Sequence, residues 1–454
     1  MGSIHRVRKG LKLPINGEPK QDSIEKSRTP RQVALVGSDY MGMKPTMLVK
    51  EGDMVKAGQP VFECKRNPGC IYTAPAAGKV ALVNRGKRRV FQSLVIDVTG
   101  NDQVSFKNYK GVDAERLDEQ SVRDLLLESG QWTAIRQRPF GKVAMLDSKC
   151  RALFITAMDS HPLAPNPVHR IKEAQADFEN GVKVLSHLTS GPTYVCKEAG
   201  ADISVPSFNR VQVEEFKGVH PAGTAGLHIN YLMKAPVSLE NVVWHVGYQD
   251  VITIGKLFKT GKLDLERVIS IGGPKAKNPR LIRTQMGARL SDILGDEVVG
   301  ENSRVVSGSV FAGQKADGPF DFLGRFANQV TILEEGTYRE FLGWKMPGFN
   351  KFSIKNTFAA KLIPGKTFDF STDTNGSPRA MVPVGMYEKV MPFRDVLPTQ
   401  LLRAIFTKDM DGALELGVLE FVEEDLALCT FASPGKEDFS ALLRENLEMI
   451  EKEM

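Results

Sequence analysis

The hydrophobic rhythm of this chain changes three times, and one sheet or one bundle cannot accommodate all of it. Up to about residue 100 the apolar pieces are short: Val33-Ala-Leu-Val-Gly37, Met47-Leu-Val49, Pro60-Val-Phe62, Ile71-Tyr-Thr73 and Ala81-Leu-Val83. Turn signals separate them, among them Glu51-Gly-Asp53 and Ala57-Gly-Gln-Pro60. Strands this short and this regularly punctuated predict a small closed β unit. From about residue 106 the pieces lengthen. Ser121–Ser129 reads as a helix, Arg151–Ala157 as a buried strand, Pro167–Leu188 as a helix, and Pro192–Cys196 as a strand. Strand, helix, strand at this spacing predicts a βαβ unit in a three-layer α/β domain, with a further helix opening at Val251–Leu257. Arg267–Gly273 begins a third unit, a small sheet crossed by one helix at Leu281–Leu294, with Ser303–Phe311 returning as strand. Residues 320–395 read as strand- and loop-rich. From Pro398 the pattern turns helical, at Gln400–Phe406, Asp411–Glu423 and Lys436–Lys452.

Composition narrows the functional classes. Of 454 residues, 42% are hydrophobic and 25% charged, as in ordinary globular proteins. No apolar run reaches the roughly 18 to 20 residues that span a bilayer. The basic start lacks a following apolar stretch, which predicts no secretory signal. Cys64, Cys70, Cys150, Cys196 and Cys429 are scattered and form no C-x-x-C, which predicts reduced thiols and no zinc or iron–sulfur site. Cys64 and Cys70 read as small hydrophobes on neighbouring strands. Residues 1–100 hold 18 Lys and Arg against 8 Asp and Glu; residues 409–454 hold 3 against 13. The basic head could face an anionic membrane surface, a nucleic acid or an acidic partner, or simply the acidic tail or water. Its only aromatics, Tyr40, Phe62, Tyr72 and Phe91, form no stacking platform, so nucleic acid is not expected. The cluster Arg85-Gly-Lys-Arg-Arg89 is predicted to project at a hairpin tip and to meet lipid, a partner or the acidic C-terminal region.

Glu51-Gly-Asp53, Gly58-Gln59, Ala74-Pro75 and Gly78 together resemble the biotinyl/lipoyl carrier fold over about residues 40–98. In carriers a tight hairpin presents the modified lysine. Here that loop reads Glu63-Cys-Lys-Arg-Asn-Pro-Gly69. The flanking residues a ligase reads are absent, and Pro68 and Gly69 lengthen the loop. The fold is expected without modification of Lys65.

Further segments resemble one family along the whole chain. They are Lys9-Gly-Leu-Lys-Leu-Pro-Ile-Asn-Gly-Glu-Pro19, Tyr40-Met-Gly-Met-Lys-Pro-Thr-Met-Leu-Val-Lys-Glu-Gly-Asp53, Ser129-Gly-Gln-Trp-Thr-Ala-Ile-Arg-Gln-Arg-Pro-Phe140, Thr156-Ala-Met-Asp-Ser-His-Pro-Leu-Ala164, His220-Pro-Ala-Gly-Thr-Ala-Gly-Leu-His-Ile229, Cys429-Thr-Phe-Ala-Ser-Pro-Gly-Lys436 and Leu442-Leu-Arg-Glu-Asn-Leu447. The family is NqrA, of the Na+-translocating NADH–quinone reductases. A more distant similarity is to the flavoprotein subunit of respiratory complex I and the C subunit of the Rnf complex. Those relatives carry a glycine-rich stretch whose bare N–H groups approach flavin and nucleotide phosphates. The matching stretch here is Gly130–Phe140, in which Trp132, Thr133, Ile135 and Gln137 fill the open positions. The acidic stretch that follows in those relatives is replaced by Thr156–Pro162, and their clustered cysteines have no counterpart. Trp132 is expected to pack in the old cofactor cleft.

The resemblance implies a biotinyl/lipoyl-carrier-like β unit with an N-terminal extension at 1–105, a Rossmann-like α/β domain at 106–255 and a β-grasp, SLBB-like domain at 256–335. A C-terminal region at 336–454 ends in helices. It implies a peripheral subunit on the cytoplasmic face of a bacterial inner membrane, whose complex passes electrons from NADH through flavins and an iron–sulfur centre to ubiquinone while exporting Na+. The B subunit is the expected chief partner, with ubiquinone a candidate ligand. No catalytic, cofactor-binding or metal residue is predicted in this chain, and no cofactor. The histidine pairs His161/His169 and His220/His228 are each eight apart, too far for one helical turn, and read as hydrogen-bonded loop histidines. Glu423-Glu-Asp425 reads as a solvated charge run. The rival readings are a stand-alone flavin- and NADH-binding dehydrogenase, a carrier modified at Lys65, and an adaptor whose basic head binds membrane or an acidic partner.

Overall fold

Along the strand Leu153–Ala157, Leu153 and Ile155 join one hydrophobic core while Phe154 joins another. Alternate side chains of a strand point to opposite faces, so this strand lies inside a sheet covered on both sides. The computed structural model describes residues 3–337, 340–355, 357–375, 381 and 385–453. It shows mixed α+β architecture in several packed units, as the sequence predicts.

The central sheet has seven strands, in the order Ile4–Val7, Val211–Gly218, Thr193–Glu198, Leu153–Ala157, Val243–Gly247, Arg136–Arg138, Lys142–Val143. The first five run parallel and the last two antiparallel to their neighbours. Helices Gln175–Ser186 and Tyr248–Thr260 cover one face. They approach closely at two glycines: a Cβ on Gly181 would meet the Val251 carbonyl oxygen at 2.0 Å, and one on Gly255 the Asp177 carbonyl oxygen at 1.8 Å. Helices Pro398–Thr407, Met410–Glu415, Glu423–Ala432 and Phe439–Glu453 cover the other face. There Tyr387, Leu401, Phe421, Phe439 and Leu447 pack against Phe154, Phe216 and Val243.

The small β unit comprises a four-stranded sheet (Gln32–Val36, Phe91–Gly100, Ala77–Arg85, Met54–Val55) and a three-stranded one (Pro45–Met47, Pro60–Cys64, Ile71–Thr73). All five cysteines are free and buried. The Cys64 N–H donates to the Cys70 carbonyl at 3.1 Å. The third unit is a six-stranded sheet, Gln314–Lys315, Ser303–Ser307, Gln329–Glu334, Glu266–Gly272, Arg280–Gln285, Lys20–Lys26. The first thirty residues thus run through both larger sheets before the small unit begins. Ile4–Val7 pairs parallel with residues 215–218, and Lys20–Lys26 parallel with Arg280–Arg283 across a bulge.

Several local readings differ from the sequence expectation. Leu281–Leu294 is not one helix: Arg280–Gln285 is a strand, and only Leu290–Leu294 is helical. Gly287 separates them at φ +71°, and a Cβ there would lie 2.3 Å from the Ala34 carbonyl oxygen. The helix predicted over Pro167–Leu188 is broken at Ala174, whose ψ of +35° is non-helical. Asp411–Glu423 ends as a helix at Glu415, because Gly417 turns the chain at φ +81°. A helix not anticipated, Glu423–Ala432, follows. Between 335 and 386 the described residues hold loops and short 3-10 turns rather than strands.

Glycine inside a helix ordinarily costs about 1 kcal/mol relative to alanine. At Gly181 and Gly255 the order should invert. Gly181→Ala or Gly255→Ala forces a methyl onto backbone oxygen, and each should lower stability by about 2 kcal/mol in thermal or urea unfolding.

Candidate functional site

Gly130–Phe140 begins where helix Glu119–Glu128 stops. Asp118 caps that helix by accepting the Ser121 N–H at 2.6 Å. Gly130, at φ +72°, reverses the chain into a 3-10 turn, Gln131–Ala134. A Cβ there would meet Thr73 Oγ1 at 2.5 Å, so the small β unit is seated directly on this turn. Trp132 is fully buried, edge-on to Trp244 at 5.4 Å, and its Nε1–H donates to the Ala144 carbonyl at 2.8 Å. The Arg123 guanidinium lies over both indoles, at 5.1 and 5.6 Å. Thr133, Ile135 and Gln137 are buried, and Gln137 Oε1 accepts the Met145 N–H at 2.8 Å. The positions that would have to stay open for a phosphate hold side chains committed to the core. Beside them a small cleft is lined by Leu35, Tyr40, Tyr72, Gln131, Met286 and Arg325, among others. Gln131 Oε1 and Arg325 Nη2 are buried there without a hydrogen-bond partner among the described residues.

The carrier-like loop is docked rather than projecting. Asn67 is buried, its Nδ2 donating to the Ala144 carbonyl at 3.0 Å and its Oδ1 accepting the Leu146 N–H at 3.1 Å. Lys65 is exposed beside it, on a turn held against another unit.

Parallel α/β sheets bind ligands beyond the carboxyl ends of their strands. Here that edge carries Asp159, Ser160 and His161 after one strand and His220 after another. Spacing along the sequence pairs neither His161 with His169 nor His220 with His228 in space. The fold instead brings His161 to His220, with ring centroids 4.7 Å apart. His220 stacks on Phe311 at 5.0 Å and meets Ser160 Oγ through Nδ1 at 3.1 Å. Its Nε2 is buried without a hydrogen-bond partner among the described residues. His228 meets the Ala222 carbonyl through Nε2 at 2.9 Å. His169 lies apart, on helix Pro167–Glu173.

The run Glu423-Glu-Asp425 corrects the sequence reading. Asp425 is buried and Glu424 largely so, because helix Glu423–Ala432 docks its first turn on this edge. Asp425 Oδ2 takes the Arg138 Nη1 at 2.5 Å, and Arg138 also donates to the Glu420 carbonyl at 2.6 Å. Both side chains are almost wholly inaccessible. A Cβ on Gly226 would lie 2.2 Å from Asp425 Oδ1, so glycine makes room for the carboxylate. His161 bridges Asp159 (Nδ1 to Oδ1, 2.8 Å) and Glu424 (Nε2 to Oε1, 2.9 Å). The second contact is an ion pair too poorly aligned for a hydrogen bond. Burial would push the imidazolium pKa down, but the two carboxylates overcome it and hold it up at about 10. Burial likewise works to raise Glu424, and His161 and Arg136 hold it well below the carboxylate range. His220 is driven well below its usual value by burial and then by the neighbouring His161 charge. The edge is thus closed by the chain's own carboxylates. Among the described residues no three His, Cys, Asp or Glu side chains converge on a point a metal could occupy.

A second buried network ties the three units. Asp250 Oδ1 accepts from Arg267 Nη2 at 2.5 Å and from Arg325 Nη1 at 2.7 Å. The Arg325 N–H donates to Asp39 Oδ2 at 2.8 Å. Burial raises the Asp39 pKa to about 6, against the pull of Arg325. Sequence reasoning missed Arg138, Asp425, Asp250 and Arg325, since partners 75 to 287 residues apart leave no local spacing.

The hairpin Ala77–Arg85/Phe91–Gly100 does carry the basic tip. Lys87, Arg88 and Arg89 are exposed, Arg88 and Arg89 both at positive φ. Arg85 Nη1 braces the turn on the Arg89 carbonyl at 3.3 Å. Among the described residues none of the four forms an ion pair with the acidic tail, whose Glu423, Glu445 and Glu451 pair with Arg444, Lys408 and Lys142.

Three family models match in chain order: "NqrA N-terminal barrel-sandwich hybrid domain" over residues 5–99, "NqrA second alpha/beta domain" over 117–263, and "NQRA C-terminal domain" over 268–318. Curated relatives, each the A subunit of a Na(+)-translocating NADH-quinone reductase, match over nearly their whole length. That of Shewanella frigidimarina is 52% identical, covering 98% of this chain and 99% of its own. That of Hahella chejuensis is 51% identical, covering 99% of each. That of Vibrio parahaemolyticus is 51% identical, covering 98% of this chain and 99% of its own. A solved NAD+-reducing [NiFe]-hydrogenase chain overlaps 51% of this chain and 49% of its own at 11% identity and TM-score 0.34, too little to carry an argument.

The bridging charges set a pH signature. A raised His161 pKa contributes stability that is whole below its ordinary 6.5 and is lost as pH climbs towards about 10. The depressed Glu424 contributes stability that is present above its ordinary 4.5 and is lost as pH falls. Thermal unfolding should therefore show its optimum between those ordinary values. His161→Gln should flatten the alkaline decline. Asp425→Asn, which strands the Arg138 charge, should cost about 3 kcal/mol.

Proposed function

The chain belongs to the NqrA family of the Na+-translocating NADH–quinone reductases, and from that premise we propose that it serves its pump without carrying a redox centre. It is one component of a sodium-pumping NADH:quinone oxidoreductase, an enzyme at the level of the complex. Among the described residues no helix is long and apolar enough to cross a membrane. We place the chain peripherally on the cytoplasmic face, where its chief neighbour is the B subunit. The flavins, iron–sulfur centre and NADH site of the complex are assigned to other subunits, and ubiquinone is the ligand nearest to this chain's role. The division at residues 105, 255 and 335 is the domain organisation that goes with this reading.

One observation supports the cofactor-free reading above the others. Trp132, Thr133, Ile135 and Gln137 occupy the approach that a flavin or nucleotide phosphate requires, and all four are buried in the core. The ligand edge of the parallel sheet is closed as well, by Glu424 and Asp425. A group bound at either place would have to displace packed side chains or leave Arg138 unpaired.

The purified chain should be colourless, should not oxidise NADH, and should have the intact mass of its unmodified sequence. Stoichiometric flavin bands would overturn the cofactor-free reading, and an added biotinyl or lipoyl mass at Lys65 would revive the carrier reading.

The basic hairpin tip is the surface we assign to holding the chain in the complex. Replacing Lys87, Arg88 and Arg89 by Asn, which tolerates the left-handed backbone at 88 and 89, removes three cations without touching a core. Retention on membranes containing the other subunits should fall, with thermal stability of the isolated chain unchanged. Full retention would reject the assignment.

A further inference from the structure

Exposed large apolar side chains are not spread evenly over this protein. Phe341, Leu342, Met346, Phe349, Leu362 and Ile363 all stand in water within one loop segment. Phe341 and Leu362 protrude furthest, at 84% and 83% exposure. A concentration of this kind marks a surface that something covers.

The segment is built rather than loose. Phe352 packs against Phe368 and Phe370 at 5.7 and 5.6 Å and against Phe431 at 6.2 Å, fixing the loop to the C-terminal helices. The Ala359 N–H donates to the Pro347 carbonyl at 2.9 Å, closing the loop on itself. Lys351 Nζ donates to the Gly343 carbonyl at 2.7 Å, and Lys366 Nζ to Asn350 Oδ1 at 2.8 Å. Some apolar residues of the segment are thus turned inward, while the six are held outward.

Charge identifies the covering surface. Residues 341–366 contain five lysines, Lys345, Lys351, Lys355, Lys361 and Lys366, and no Asp or Glu. Glu340, just before the segment, pairs with Lys351. The ammoniums of Lys361 and Lys366 lie over the rings of Phe352 and Phe368, at 5.1 and 5.7 Å. Exposed aromatic and aliphatic side chains in a segment that carries five lysines and no carboxylate suit an anionic bilayer interface, where apolar groups enter the headgroup boundary and cations meet lipid phosphate. A protein partner would need shaped pockets for two side chains standing almost free of the surface. A bilayer needs none.

We propose that residues 341–366 dock this chain directly on an anionic phospholipid surface, with Phe341 and Leu362 entering the interface. Membership of a multisubunit pump requires contact with other subunits, not with lipid, so the contact goes beyond the family assignment.

The test uses the full chain and vesicles of phosphatidylcholine with or without phosphatidylglycerol, read by co-sedimentation. The chain should bind the anionic vesicles, less so as salt is raised, and bind pure phosphatidylcholine weakly. Phe341→Ser with Leu362→Ser should weaken that binding at least about tenfold with an unchanged melting temperature, since both side chains are exposed. Lys87→Asn, Arg88→Asn, Arg89→Asn should leave most of it. Equal binding by the Phe341/Leu362 variant and the parent would overturn the proposal. So would binding lost only in the hairpin variant, which would make the hairpin the lipid contact. So would absence of vesicle binding by the parent; loss of the Phe341/Leu362 variant from membranes holding the whole complex would then mean that the segment meets another protein of the complex.

Discussion

Much of this structure follows from one buried guanidinium. Arg138 lies on the strand Arg136–Arg138 with its side chain shut off from water, and a lone charge there would cost about 3 kcal/mol if no counter-charge reached it. Asp425 supplies it from a helix that begins 285 residues later. For that carboxylate to arrive, Gly226 must lack a side chain, Glu420 must offer its carbonyl, and the helix must present its first turn to the sheet. Docking of the four C-terminal helices and closure of the sheet's carboxyl edge are therefore one event. Glu424, one residue earlier, comes with it and completes the bridge to His161 and Asp159.

The same logic, charge meeting charge where water is excluded, joins the remaining units. Asp250 lies on a helix of the α/β layer, Arg267 and Arg325 belong to the six-stranded unit, and Asp39 follows the first strand of the small β unit. Buried pairs add little net stability but penalise every arrangement that leaves one charge alone. They fix how the three units sit together more than how firmly. Hydrophobic contact supplies the remainder: one continuous core runs from Phe62 and Tyr72 through Trp132 to Phe178 and Val251.

What could be read from the sequence was local or periodic. The βαβ rhythm around Leu153–Ala157, the turn-punctuated strands before residue 100 and the helical close after Pro398 each carry their signal within a dozen residues. The filled glycine positions around Trp132 were legible because a side chain is either present or not. Leu281–Leu294 misled because paired apolar residues suit a strand buried on both faces as well as a helix; Gly287, in hard contact with Ala34, decides. Glu423–Asp425 misled because exposure is the rule for a charge run, and the exception depended on Arg138 far away. His161 and His220 belong to different strands, so only the sheet order brings them together.

The threading of the N-terminus carries a consequence for how the molecule is made. Residues 4–7 become a parallel edge strand only beside residues 215–218, and residues 20–26 only beside 280–283. A ribosome delivers the first strand some two hundred residues before its partner. The strands of the small β unit all lie within residues 32–100, whereas the segment preceding it has its strand partners after residue 210. Non-local parallel pairing is slow and leaves open strand edges in the interval. Arg6, Arg8, Lys9 and Lys12 put four like charges on that segment, a pattern that opposes edge-to-edge pairing between chains.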